Sequence, residues 1–417
     1  MSDVKSYINY FAQLWDESPE YFPDFSRMYS LDEQISRELK FDEVYEKLND
    51  LRTKKNRREL RSDSPGVTFF PVFRNFLENV FDFESEHLEI ILSDDFRNVS
   101  KDFFYQAREF GPELSIENIY QGLRNVWIMN GLQLMMGLPI EITPAVFAYS
   151  MIYPYSDNLL DDKNISEEEK HIFSHRFNER LHGNQIFPEN HTEEQLFSLV
   201  QMMEEQYPRQ DFSGVYKSLY AIQKGQTKSL KLQSDFNLDE SQVRDICFEK
   251  GGASVLADGY LVAGKLSTEQ ELALFGYGVY LQLLDDIQDI KEDTLANTKT
   301  LYACCNDLDN PELRINKTIH FGRKVLQSLN CFKGTEMNKM LILMNHSIES
   351  MLIESIGLYS HLYSTNWIKK FELHSPLRFG FLREKKSKTK SQRLDIFKKY
   401  FETAQVKATV QKNSKVI

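Results

Sequence analysis

Cysteine is scarce. Cys247, Cys304, Cys305 and Cys331 are the four in 417 residues, and no pair has CxxC spacing. That argues against a disulfide framework and against a structural zinc. Glycine and proline are few, 18 and 12, which disfavours a turn-rich β protein. No apolar run reaches the ~18 residues of a membrane span. The most apolar stretch, 126–155, is interrupted by Pro139, Glu141 and Pro144 and reads as two buried helices with a turn between them. The opening MSDVKSYINYF has no basic segment followed by an apolar one, so a secretory signal is not expected and a cytoplasmic location is. There is no GxGxxG or GxxxxGKS/T loop, no period-2 strand run and no internal repeat.

What remains is a chain that is 41% hydrophobic and 27% charged, rich in Phe (30) and Tyr (20). These proportions suit an ordinary folded protein with a sizeable core. The net charge of −12 is uneven: residues 383–417 carry +8, which leaves −20 on the rest. An acidic body argues against nucleic acid as a partner. It suits anionic substrates that reach the protein through bridging cations. The basic tail contains Leu394, Phe397 and Phe401 at helical spacing. Those residues could rest on anionic lipid as a short amphipathic helix, although a solvated tail is the plainer reading.

Apolar periodicity predicts an all-α protein. Helices are expected over 115–137, 143–161, 166–181, 192–206, 211–233, 239–264, 268–293, 312–329 and 335–363, with turns at Gly137-Leu138-Pro139, Gly183-Asn184 and Phe187-Pro188. Three parts are expected: an N-terminal helical extension, 1–110; one large helical bundle, 111–370; and the basic tail, 371–417.

Two carboxylate clusters stand out. The first lies in GYGVYLQLLDDIQDIKED, 276–293. At about 100° per residue, Asp285, Asp289, Asp293 and Asp286 fall within an arc of about 100°, while Leu283, Ile287 and Ile290 face away. Carboxylates one turn apart repel, so the stripe must be solvated or bound to cations. Above it on the same face are Gly278, Leu281 and Gln282 rather than further charge. The second cluster is YPYSDNLLDD, 153–162, with Asp157 and Asp161 one turn apart, Asp162 to the side, and Tyr153 and Ser150 upstream on the Asp157 face. Hard oxygen donors with no His or Cys beside them suit Mg²⁺. Metal at the mouth with an apolar wall beneath is the layout that a prenyl diphosphate requires.

These residues resemble the class I isoprenoid synthase superfamily over roughly 115–305. Asp157-Asn158-Leu159-Leu160-Asp161-Asp162 is similar to the first DxxxD(D) motif of squalene/phytoene-type enzymes and of tetraprenyl-β-curcumene synthases. Gly225-Gln226 resembles the GQ of polyprenyl synthases. Lys250-Gly251-Gly252 resembles their KTG, which supplies a diphosphate-binding lysine. Asp285-Asp286-Ile287-Gln288-Asp289 matches their second DDxxD. Asp285, Asp289 and Asp293 have the spacing of the metal triad of terpene cyclases, and Lys299 resembles the lysine after the second motif.

The resemblance implies an isoprenoid-synthase bundle using Mg²⁺, three ions with Mn²⁺ as a substitute. The metal ligands would be Asp157, Asp161, Asp162, Asp285, Asp286, Asp289 and Asp293, and the reaction would be carried by Asp157, Asp161, Asp285 and Asp289. Lys250, Lys299, Gln226 and Tyr153 would bind substrate. A prenyl diphosphate is the implied partner, and a homodimer is compatible. The chain departs from polyprenyl synthases in having Ser156 before Asp157, no arginine pair after the first motif and no GKxxR. That favours ionisation and cyclisation of one long prenyl chain, with polyprenyl or head-to-head synthesis as the alternative. Two ExxH segments, Glu84–His87 and Glu168–His171, raise a di-iron carboxylate bundle as a rival, and a non-catalytic helical scaffold is a third reading.

Overall fold

Helix starts in this chain are written by side chains that satisfy orphan backbone amides. Ser115 with Asn118, Ser166 with Glu169, Asp239 with Gln242, and Ser267 with Gln270 each form a reciprocal capping box. Helix ends use left-handed residues. Gly137 has φ 70°, Gly183 φ 88° and Gly264 φ 72°, a conformation that costs glycine little. The first two are the expected turns.

The computed structural model describes residues 3–53, 65–161, 164–235, 237–303 and 310–385. Its α-helices are, in order, α1 (Val4–Asp16), α2 (Leu31–Thr53), α3 (Pro65–Phe81), α4 (Ser85–Ile91), α5 (Asp94–Phe110), α6 (Ile116–Met135), α7 (Pro144–Asp161), α8 (Glu167–Leu181) and α9 (His191–Gln206). They continue as α10 (Ser213–Ser229), α11 (Lys231–Ser234), α12 (Glu240–Ala263), α13 (Thr268–Gln288), α14 (Ile290–Ala296), α15 (Pro311–Ser328), α16 (Met337–Leu358) and α17 (Thr365–Glu372), with one more helical stretch at 379–385. No strand occurs among the described residues, so the all-α expectation holds. None of their helices is long and apolar enough to cross a membrane.

The chain divides into two compact units: Met1–Pro23 with Gln106–Met337, and Asp24–Tyr105 with Asn338–Ile417. This grouping differs from the expected extension, bundle and tail. In the first unit α12 is the central helix; α10 and α13 pack along it, and α6, α7 and α1 also touch it. Helix α1 joins this unit because it is amphipathic. Phe11 and Trp15 are buried in an aromatic cluster with Phe248, Phe275 and Phe321, with centroids 5.7–6.3 Å apart. Each such ring contributes about 2–3 kcal/mol on burial. The hydroxyls of Tyr7 and Tyr260 both donate to the buried carboxylate of Glu271, tying α1 to α12 and α13.

The second unit is held by polar contacts between distant parts of the chain. Gln34 Nε2 donates to the carbonyls of Glu372 (2.8 Å) and Ser375 (2.9 Å). Arg378 forks onto Glu38, and Asp82 accepts from Arg37 (2.6 Å) and Tyr29 (2.7 Å). Phe371, Leu377, Phe379 and Leu382 are buried, so residues 371–385, expected as part of the basic tail, are packed. Leu394, Phe397 and Phe401 lie outside the described residues.

The expected helix over 268–293 is divided. Asp289 leaves helical geometry (φ −101°, ψ 14°) between α13 and α14, although its amide still bonds Asp285 O (2.9 Å) and its carbonyl the Asp293 amide (2.8 Å). Like charges spaced by a turn disfavour a continuous helix at such a run. Then α14 ends at Asn297, left-handed at φ 55°, with Thr298 N reaching back to Asp293 O (2.9 Å).

Candidate active site

The site is built on the α12–α13 hairpin. Gly264 and the Ser267 cap turn the chain back on itself, so α13 runs antiparallel to α12. Gly259 lies against Leu274, and Gly251 against Gly278 and Gln282. A Cβ on Gly251 would come 2.6 Å from Gly278 O, and one on Gly278 would overlap the Gly251 carbonyl. Only two glycines permit that crossing. On another face of α12 a Cβ at Gly225 would sit 3.1 Å from Lys250 Cα. The glycines of the Gly225-Gln226 and Lys250-Gly251-Gly252 motifs are therefore packing residues that bring α10, α12 and α13 together at the level of Lys250.

The acidic end of α13 lies beside the start of α12. Asp285 and Asp289 are exposed, Asp293 is partly buried and Asp286 is buried. The expectation that all four share one open face is corrected for Asp286. One oxygen of its carboxyl accepts from Gln282 Nε2 (2.7 Å), and the other is buried with no hydrogen-bond partner. Its pKa is pushed up to about 7, chiefly by burial and also by Asp285 and Asp293, with the Gln282 hydrogen bond and Lys250 opposing. Asp293 is pushed up to about 6, chiefly by burial and then by Asp289 and Asp285, again with Lys250 opposing. Four carboxylates and Lys250 thus act as one electrostatic group.

The buried Glu249 is paired with Lys228, so neutralising Glu249 is not the work of Lys250. Lys299 is buried, its amide bonded to Leu232 O (2.9 Å) and its Nζ 3.5 Å from Leu238 O. The side chain of Gln226 is exposed.

The first cluster is placed by α7. The side chains of Asp157 and Asp161, and all of Asp162, lie outside the described residues, but the backbone of α7 runs to Asp161. Gln206 accepts from Ala145 N at the start of α7 (2.8 Å), and the next residue, Tyr207, donates to Leu261 O at the end of α12 (3.0 Å). Hence α7 runs opposite to α12, and its last turn heads for the end where α12 begins and α13 finishes. Both aspartate-rich segments terminate at the same end of the first unit. Tyr153, one turn before Asp157, is partly buried and donates to Tyr149 (3.4 Å), edge-on to its ring at 5.6 Å.

Sequence reasoning passed over a polar group below these residues. Asp258 is 1% exposed, where α12 meets α6 and α7. Asn125 Nδ2 lies 3.5 Å from its carboxyl and 3.2 Å from Ser150 Oγ. The available signal was a lone acid in GGASVLADGYLVAG, two turns after Lys250.

The rival ExxH segments fall in different units. Glu168 and His171 are both exposed on α8. Glu84 and His87, with Glu86, bring ligand atoms within 4.8 Å of one another, His87 buried and both glutamates exposed.

No family model matches the sequence, and no curated protein matches it. Among solved structures, a geranylgeranyl pyrophosphate synthetase from the archaeon Geoglobus acetivorans is similar over 64% of this chain and 99% of its own, at 14% identity and a TM-score of 0.41. A geranyltransferase from Legionella pneumophila covers 63% of this chain and 96% of its own, at 12% identity and a TM-score of 0.36. A decaprenyl diphosphate synthase from Rhodobacter capsulatus covers 72% and 99%, at 13% identity and a TM-score of 0.34.

Proposed function

We propose that this chain ionises an allylic prenyl diphosphate with the help of divalent cations, in the manner of a class I isoprenoid synthase. The observation that carries the reading is the acidic end of α13: a buried carboxyl oxygen of Asp286 without a partner, coupled to Asp285 and Asp293, with Lys250 opposing on the neighbouring helix. Carboxylates that raise one another's pKa in this way favour a cation among them. Their donors are all hard oxygens, which fits Mg²⁺. Asp285, Asp286, Asp289 and Asp293 would hold it, joined by Asp157, Asp161 and Asp162 from α7. Bound there, Mg²⁺ would neutralise the diphosphate and make it a better leaving group.

The chain's own residues supply the rest. Lys250 adds a fixed positive charge beside the carboxylates, where developing negative charge on the leaving group is stabilised without reorganisation. Tyr153 offers an aromatic face one turn below, able to interact with an allylic cation through its quadrupole. Lys299 and Gln226 belong to the same motif set.

Transfer to a second prenyl unit is the fate of the cation favoured by the resemblance of Gly225-Gln226, Lys250-Gly251-Gly252 and Asp285–Asp289 to the motifs of polyprenyl synthases. Cyclisation or elimination within one long chain is the second reading, favoured by the missing arginine pair. Purified protein with Mg²⁺ would be given farnesyl, geranylgeranyl and longer diphosphates, with and without isopentenyl diphosphate. Diphosphate release requiring isopentenyl diphosphate is expected for transfer, and release from a single substrate for cyclisation. Asp289→Asn should reduce either by about a hundredfold or more. No release under any condition would refute the proposal.

A further inference from the structure

We propose that Asp258 is a positioning residue of this site, a buried carboxylic acid that fixes the seam on which α7 and α12 are set against each other. The proposal rests on the reading of the site above and extends it to a residue outside the aspartate motifs.

Lys250, Ser254 and Asp258 are spaced i, i+4, i+8 on α12, and Tyr149, Tyr153 and Asp157 are spaced likewise on α7, so each trio occupies one helix face. The two helices run in opposite directions. Tyr149 hydrogen-bonds both Ser254 and Tyr153, and Asp258 acts on it electrostatically. The α12 trio therefore descends from Lys250 through Ser254 to Asp258, about 12 Å along the axis. The α7 face rises beside it from Tyr149 through Tyr153 towards the first aspartate motif. At the bottom, Asn125 of α6 bridges Asp258 and Ser150. Three helices meet at one carboxyl.

The neutral form of that carboxyl is favoured. Burial pushes its pKa up to about 8, and the contact from Asn125 only partly offsets this. The groups facing it are Asn125 from α6, Tyr149 from α7, and Ser254 one turn away on its own helix, with Lys250 a further turn off. The remaining neighbours of α12 meet it elsewhere: α10 through Gly225, α13 through Gly251, Gly252 and Gly259, and α1 through Trp15 against Phe248. A neutral acid both donates and accepts, so it can bridge the amide and hydroxyls around it. A carboxylate there would have lost its donor and would carry an uncompensated charge. Tyr153 and Lys250, both candidates for touching substrate, stand further along the faces that this contact aligns.

The test uses the full chain with Asp258→Asn and Asp258→Leu. The first readout needs no substrate: melting temperature against pH. A carboxyl with a raised folded pKa gives stability that is complete below pH ~4 and lost as pH rises to about 8. Wild type should fall across that window relative to Asp258→Asn, by about 4 °C or more. Parallel curves would overturn the proposal. The second readout is turnover with prenyl diphosphate and Mg²⁺. Asp258→Leu should melt at or above wild type yet lose about tenfold or more in kcat, and Asp258→Asn should recover part of that loss. A folded Asp258→Leu with wild-type kcat would overturn the positioning role. If wild type itself turns nothing over, the functional reading fails, while the melting curves still decide whether Asp258 is the buried neutral acid described.

Discussion

The Gly251–Gly278 crossing permits the sharpest test of how the site is built. In Gly278→Ala the new Cβ overlaps the carbonyl oxygen of Gly251, and the next nearest atoms, Gly251 C and Gly252 Cα, are backbone too. No side chain can rotate away, so α12 and α13 must separate. Overpacking of this kind costs about 1–3 kcal/mol, and a backbone obstacle places this case at the upper end. Alanine recovers about 1 kcal/mol of helix propensity, leaving a net loss of about 2 kcal/mol. That corresponds to a fall of about 4–8 °C in the melting of the first unit. Gly380→Ala is the control, since a Cβ there meets nothing within 4 Å and the residue lies in the helical stretch 379–385; it should be neutral or slightly stabilising. Urea and thermal unfolding followed by circular dichroism would report both variants. A Gly278→Ala protein as stable as wild type would refute the claim that two bare backbones are in contact at this level.

Other consequences follow from the buried charges of the first unit. Lys228→Ala should leave the carboxylate of Glu249 without its ion-pair partner. Lys228 is itself 40% exposed in its side chain, so the loss is placed at about 2 kcal/mol rather than the 3–5 of a fully buried pair. Adding Glu249→Gln should restore most of it, and additive losses in the double variant would contradict the pairing. Tyr7→Phe and Tyr260→Phe each remove a hydroxyl from Glu271 and should cost about 1–3 kcal/mol. Limited proteolysis after Asp16 should quicken in the Tyr7 variant, and an unchanged cleavage rate would show that Glu271 does not hold α1.

The helices were legible because their signals are local: capping residues three apart, apolar periodicity, and glycine after the last turn. The observed limits of α6 to α10, α12, α15 and α16 fall within a few residues of those read from periodicity. The Asp289 break was not legible, because helical projection treats a run of carboxylates as geometry and omits their repulsion. Asp286 was misplaced for a related reason. An angle of about 100° from Asp285 says nothing of what packs there, and the close approach of α12 is set by glycines 35 and 27 positions away in the sequence, at Gly251 and Gly259. Asp258 was invisible because a single acid in an apolar helix carries no spacing signal. Its meaning comes from Asn125 and Tyr149, which only the fold delivers.

Asp286 and Asp258 share one cause of perturbation, burial, but differ in what could relieve it. Asp258 faces amide and hydroxyl groups and no cation. Asp286 faces Lys250 and belongs to a carboxylate group open to the exterior through Asp285 and Asp289. Without divalent cations, the raised values of about 7 for Asp286 and about 6 for Asp293 mean that the contribution of these two groups to stability is complete below pH ~4 and is lost as pH rises through 6–7. Mg²⁺ binding requires the ionised forms, so it should return that stability most strongly at pH 7–8 and hardly at all at pH 5. The check is the melting temperature across this range with EDTA and with millimolar Mg²⁺. The Mg²⁺ increment should grow with pH and vanish in Asp285→Asn/Asp289→Asn. An increment independent of pH, or one that survives the double variant, would place the cation elsewhere than on these carboxylates.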